Sequence, residues 1–253
     1  MDKVDKAIDL LISENDPLFS NPFKFDDEWL DNHTKSWTRR PDGKIDVVGD
    51  IMLAGLSDLS ELPFSFGKVN GTFHCQSSGL NTLKGAPEIV TGNFSCSHNN
   101  LTSLKGCPQN IPGNFTCSGN NLTSLEHGPK EVKLSYFCDY NQLNNLIGAP
   151  KEVGGDFYCH HNQLTSLEGA PEWVGVSFDF STNKVANLKG APKEVEGNFY
   201  GQFNKLVTLK DADTVVGGHV YIGNNPFEEF GRTHLDADKI FADNILGATD
   251  TSA

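Results

Sequence analysis

GNFSCSHNNLTSLKG, residues 92–106, is followed by GNFTCSGNNLTSLEH, residues 113–127. The second copy begins 21 residues after the first. Taking the cysteine as register, the column runs Cys75, Cys96, Cys117, Cys138 and Cys159, then Phe180, Gly201 and Ile222. Two residues before it stand Phe73, Phe94, Phe115, Tyr136, Phe157, Phe178, Phe199 and Val220. Three residues after it stand Asn99, Asn120, Asn141, Asn162, Asn183, Asn204 and Asn225. Two leucine columns follow, led by Leu101 and Leu104, then a Gly-Ala-Pro step such as Gly148-Ala149-Pro150, and a closing β-branched residue such as Val153.

This unit, F-x-C-x-x-N-x-L-x-x-L-x-G-A-P-x-x-V, has a physical reading. The F-x-C alternation puts both side chains on one face of a short strand. A small cysteine beside a large phenylalanine fills a narrow interior, where a free thiol behaves as a small hydrophobe. Asparagine turns the chain, and its amide can satisfy backbone groups inside the turn. Glycine and proline steer a return segment too short and too broken for an ordinary helix. One coil cannot bury enough to stand alone, so stacking must supply the stability and the array is one-dimensional. The cysteines are therefore expected to be core, and no metal and no cofactor is expected.

The unit resembles the leucine-rich repeat, whose core reads L-x-L-x-x-N-x-L. NQLTSLEGAP (162–171) is similar to the short repeats of secreted bacterial effectors. The chain is more similar still to leucine-rich-repeat proteins of large tailed phages and some bacteria. In those, a leader like RPDGKIDVVGDIML (40–53) and LPFSFGKVNGTFHC (62–75) precedes the repeats. The resemblance spans about residues 40–230. Phe and Cys stand here where Leu is common, and the Gly-Ala-Pro step is lost at Asp211-Ala212-Asp213. The resemblance implies a leucine-rich-repeat solenoid, mostly β. It implies a parallel single-layer sheet on the concave side, short irregular convex segments and a helical N-terminal cap. It implies a setting in the cytoplasm, the host cytoplasm for a phage-encoded chain.

The expected organisation is a cap with helix over 1–46, about nine stacked repeats over 47–231, and a C-terminal cap with mobile tail over 232–253. Val4, Ile8, Leu11 and Ile12 share a helical face, and Phe23, Phe25, Trp29 and Trp37 are placed to cover the first coil. Ile51-Met52-Leu53 reads as a degenerate first coil carrying one extra residue, with Leu59 and Leu62 in the leucine slots. Phe241 lies 21 residues after Val220, which suggests a closing strand over 239–244 with a capping helix as the alternative. The opening MDKVDKAIDLLISEN is too charged for a signal peptide, and no run of apolar residues is long enough to span a membrane.

Function has to come from positions the core leaves free. The residues flanking the cysteine slot are expected to face outward onto the sheet. Before the slot stand Ser95 and Thr116, then Phe137, Tyr158, Asp179, Tyr200 and Tyr221. After it stand Ser97 and Ser118, then Asp139, His160, Ser181 and Gln202. Two after it stand His98 and Gly119, then Tyr140, His161, Thr182 and Phe203. The residue class changes midway along the chain although the backbone constraint does not. Clustered exposed aromatics on a rigid surface have the composition of a binding hot spot. A protein partner is therefore expected on the face of the C-terminal repeats. Its contacts would be Phe137, Asp139, Tyr140, Tyr158, His160, His161, Asp179, Tyr200, Phe203 and Tyr221.

A formal charge of −13 opposes non-specific binding to nucleic acid or to an anionic membrane. Asp139, His160 and Ser181 fall in one column in the order acid, base, nucleophile. A hydrolase would need the serine to reach the imidazole, and free N–H groups for an oxyanion; a flat ladder commits its N–H groups to neighbouring strands. An acidic nucleic-acid mimic would need a regular row of carboxylates, which the acidic residues do not form. The expected protein is thus an interaction module and not an enzyme.

Overall fold

The computed structural model describes residues 24–56, 59–209 and 212–227. The helix expected around Val4–Ile12, Phe23, the closing strand over 239–244 and the tail over 247–253 lie outside these residues. The described chain is a parallel β-solenoid with a period of 21 residues. Its principal sheet has nine strands of two residues each, from Ile51–Met52 and Phe73–His74 to Phe199–Tyr200 and Val220–Tyr221. Equivalent residues pair directly, Phe73 with Phe94, Phe94 with Phe115, and Phe115 with Tyr136. The extra residue of the first coil is confirmed, because Ile51 pairs with Phe73.

The return segments are more regular than expected. They form a second parallel sheet of six strands, from Asn110–Ile111 through Glu131–Val132, Glu152–Val153, Trp173–Val174 and Glu194–Val195 to Val215–Val216. The expectation of one sheet with irregular return segments is corrected accordingly. The reason lies in the closing β-branched residues, which point inward and are buried in every coil, so that the backbone around them is free to pair with the next coil. Nearer the N-terminus the corresponding sheet has four strands. Ser36–Arg39 runs antiparallel to Ile45–Val48, which pairs in parallel with Phe66–Asn70, and that in turn with Ile89–Val90.

The core lies between the sheets. Its centre is a column of rings, with centroids 5.5 Å apart for Phe73–Phe94, 6.0 Å for Phe94–Phe115 and 5.7 Å for Phe157–Phe178. All six cysteines are free and buried. Asp27–His33 forms a short helix, N-capped by the Asp26 carboxylate, which accepts the Trp29 N–H at 3.1 Å. Trp29 and Leu30 are buried, and Phe25 and Trp29 pack on Phe64, so the aromatic cover expected from Phe25 and Trp29 is present. Arg40 bonds Asp46 at 2.8 Å and Glu88 at 3.0 Å, and Lys44 also reaches Glu88, which ties the hairpin to the coils behind it. Among the described residues no helix is long and apolar enough to cross a membrane.

A polar rail runs beside the apolar column. Asn120 is nearly buried, and its Nδ2 donates to the carbonyls of Cys96 at 3.1 Å, Cys117 at 3.0 Å and Ser118 at 3.4 Å. Its Oδ1 accepts the N–H of Leu101, in the preceding coil, at 3.0 Å. Asn141, Asn162, Asn183 and Asn204 repeat this set. Each amide satisfies backbone groups that a tight buried turn would otherwise leave unpaired. A second rail was not anticipated. The side chains of Asn93, Asn114, Ser135, Asp156 and Asn198 each accept the backbone N–H of the equivalent residue one coil on, as in Asn93 Oδ1 with Asn114 N at 2.8 Å.

Irregular core residues are matched between coils. Phe180 fills a cysteine slot, and a Cβ at Gly201, the same slot one coil later, would collide with its ring. Tyr136 replaces a core phenylalanine, and its hydroxyl reaches toward Gly128, which replaces the usual alanine; a Cβ there would lie 3.3 Å from it. That hydroxyl is buried and has no hydrogen-bond partner.

Two predictions follow from the interior. Asn120→Ala leaves the buried Leu101 N–H without a partner and takes one of two donors from the carbonyls of Cys96, Cys117 and Ser118, and is expected to cost about 2–3 kcal/mol. Asn120→Asp is expected to fare little better, because a carboxylate cannot donate to carbonyls. The exposed neighbour variant Asn121→Ala should stay within about 0.5 kcal/mol. Equal shifts for Asn120→Ala and Asn121→Ala in urea unfolding would remove the rail from the account. The second prediction concerns alkali. Burial pushes every thiol up, that of Cys96 to about 12. Unfolded thiols ionise near about pH 8.5. Above that pH the unfolded chain sheds protons that the folded chain keeps. Stability is therefore full at neutral pH and falls as pH rises, by up to about 1.4 kcal/mol per pH unit for each thiol. Urea midpoints from pH 7 to 10 should fall steeply, and Cys96→Ala should flatten the slope by about one proton.

Candidate interaction face

The sequence-selected residues share the outer face of the nine-stranded sheet. Direct pairing places Phe137, Tyr158, Asp179, Tyr200 and Tyr221 in one continuous row across five strands. At the strand spacing, this row is about 19 Å long. Phe137 and Tyr158 meet edge to face at 5.3 Å, and Tyr200 and Tyr221 stack at 4.9 Å with their planes 5° apart. Asp179 therefore lies between two tyrosines, Tyr158 on one strand and Tyr200 on the next. Partial burial, with Asp156 and Asp179 nearby, pushes the Tyr158 phenol up.

Beside the row lies a ring cluster. Tyr140 stacks on His161 at 4.4 Å and meets His160 edge to face at 5.3 Å. The Nδ1 atoms of His160 and His161 are 2.9 Å apart, so one of them carries the hydrogen and the other accepts it. Tyr158 closes the cluster, 6.1 Å from His160. Phe203 stands on the next part of the face and is 59% exposed.

The backbone explains why Tyr140 and Phe203 stand out. The residue two after the cysteine slot is left-handed in coil after coil, with φ of 52° at His98, 66° at Gly119, 53° at Tyr140, 52° at His161, 55° at Thr182 and 56° at Phe203. This turn leads directly into the buried asparagine. Such a conformation costs a residue with a Cβ roughly 1–2 kcal/mol, and glycine is the residue suited to it. Only Gly119 in this group is glycine, and the His98 ring occupies the space its side chain would take, since a Cβ there would lie 2.5 Å from His98 Nδ1. Large rings at 140 and 203 are thus held in a strained geometry and largely in solvent, Tyr140 being 53% exposed.

The Asp139, His160 and Ser181 column does not assemble as a relay. Asp139 accepts the Ser118 hydroxyl at 2.7 Å, His160 engages His161, and the Ser181 N–H bonds Asp179 at 2.8 Å. The nearby N–H groups of Cys159, Phe180 and His161 are given to the carbonyls of Asp179, Tyr200 and Ser181 in the next coil. The early face also departs from expectation. Ser97 and Ser118 are only 5% and 7% exposed, because Ser95 and Asp139 close over them. Sequence reasoning missed Asp156, Asn198 and His219, one column further back. Asn198 donates to the Tyr200 hydroxyl at 2.9 Å, and His219 lies 6.2 Å from the Tyr221 ring. The same 21-residue register would have found them had the column been read outward. Among the described residues, no group of three or more His, Cys, Asp or Glu is placed to hold a metal ion.

No protein-family model matches the chain, and no curated protein matches it either.

Tyr140→Gly and Phe203→Gly are expected to leave the melting midpoint unchanged or raised, because glycine relieves the left-handed strain. A clear loss of stability in both variants would make the rings structural.

Proposed function

We propose that the protein is a non-enzymatic protein-binding module of the leucine-rich-repeat class, with its partner site on the aromatic face of the later coils. The observation that carries this reading is the exposure of Tyr140 and Phe203 in left-handed positions beside the Phe137–Tyr221 row. The fold does not need rings there, and glycine would suit the backbone better. Rigid aromatic side chains give much contact area for little lost side-chain freedom, which is what a recognition surface requires. The leucine-rich-repeat class is supported by the asparagine and leucine columns. The likeness to phage-borne repeats makes a bacterial protein, met in the host cytoplasm, the natural partner to seek. Nucleic acid is a poor candidate for a face carrying carboxylates in a chain of formal charge −13.

The test is a pulldown from bacterial lysate, followed by affinity measurement with the partner it identifies. Tyr158→Ala and Tyr200→Ala are each expected to weaken binding by about 2 kcal/mol, roughly thirty-fold, with the fold intact by circular dichroism. Substitution of Thr116 on the early coils should leave affinity unchanged. Wild-type affinity in both tyrosine variants would place the site elsewhere.

A further inference from the structure

We infer that the aromatic row receives a basic segment of the partner protein, its arginine or lysine side chains seated on the rings and met by Asp139, Asp156 and Asp179. This rests on the binding-face reading above and names the chemistry of what binds there.

The first observation is a charge boundary that follows the fold. The principal sheet and its turns are built from the runs 50–56, 72–78, 93–99, 114–120, 135–141, 156–162, 177–183, 198–204 and 219–225. None of the chain's 20 lysines and arginines falls in any of them. The return sheet is different. There Lys130, Lys133, Lys151 and Lys193 alternate with glutamates, and Glu172 takes both Lys193 at 2.7 Å and Lys151 at 3.7 Å. Lys184 and Lys205 sit one residue beyond the buried Asn183 and Asn204, just outside the face, and bound it.

The second observation concerns the three carboxylates. Asp139 is bonded by a hydroxyl, Asp156 by the Ser177 N–H and Asp179 by the Ser181 N–H, all neutral donors. Among the described residues, no Lys or Arg forms an ion pair with them, whereas Asp46 pairs with one cation and Glu88 and Glu172 with two each. Their charge is thus turned outward uncompensated, and Asp179 lies between two tyrosine rings. Ring faces attract cations, and a guanidinium stacks on them while its edge donates to a carboxylate. Tyr158, Asp179 and Tyr200 offer both partners within one short row. The net negative charge of the chain steers a basic segment toward it.

The experiment uses the full chain and a fluorescein-labelled peptide of alternating arginine and glycine, read by anisotropy near physiological salt. Matched peptides carry lysine, glutamate or uncharged citrulline in place of arginine. The arginine peptide should bind most tightly, the lysine peptide less so, and the other two not at all. Asp139→Asn with Asp179→Asn, which keeps the acceptor oxygens, should weaken arginine-peptide binding about tenfold. Tyr200→Ala with Phe203→Ala, which changes no charge, should do the same. Glu131→Gln with Glu152→Gln removes equal charge from the return sheet and should have no effect. Equal losses from the aspartate and glutamate pairs would reduce the effect to general attraction and overturn the inference, as would no arginine-peptide binding. A partner that needs Tyr158 and Tyr200 but is neither displaced by the arginine peptide nor weakened by the aspartate pair would leave the face as a binding site and overturn its basic specificity.

Discussion

The buried asparagine amide is the interaction on which the rest of the coil depends. It donates to carbonyls of its own coil and of the coil before, and accepts an N–H from the coil before. One side chain thus closes the turn and fixes the axial register together. An isolated coil could satisfy only half of these bonds, so the amide is fully paired only in the stack. The constraint also reaches the surface. Reaching the buried position forces the preceding residue into the left-handed region, and that residue is the one thrown out of the face. The most exposed rings of the candidate site are therefore a direct consequence of the most buried polar group.

The interior is narrow enough that each coil must accommodate its neighbours. Close packing transmits every volume change. The ring of Phe180 is made possible by Gly201 one coil on, and Gly128 eases the fit of the Tyr136 hydroxyl. His98 and Gly119 show the same compensation on the outside. Such pairs make neighbouring coils a unit. A change that restores the repeat's usual residue at one position, such as Gly201→Cys, would be harmful while Phe180 remains.

The face gains its character from a division of labour between the two sheets. Lysines and glutamates interleave on the return sheet, where ion pairs between coils such as Lys193 with Glu172 are exposed and contribute little. The principal sheet carries instead uncharged side chains, imidazoles and carboxylates bonded only by neutral donors. Its early coils are lined by small hydroxyls that bond one another or a neighbour. Its later coils carry rings. A rigid one-dimensional scaffold lets such a gradient exist, since the outward positions change without disturbing the stack.

The sequence by itself determined the period, the inward columns and the register of the principal sheet. Those follow from the spacing of phenylalanine, cysteine, asparagine and leucine, and from the two-residue alternation of a strand. It also marked Phe137, Tyr140, Tyr158, Tyr200, Phe203 and Tyr221 as free positions, because a column constrained only by backbone geometry changed residue class midway. Tertiary structure alone decided the rest. The return segments pair into a second sheet because burial of one residue per coil brings their backbones into reach, a relation no local pattern encodes. The left-handed column was hidden because it holds Ser, His, Tyr, Thr and Phe in place of a run of glycines. The partners of Asp139, His160 and Ser181 were decided in space as well: Asp139 takes Ser118 of the preceding coil, His160 takes His161 and Ser181 takes Asp179, so no two of the three bond each other.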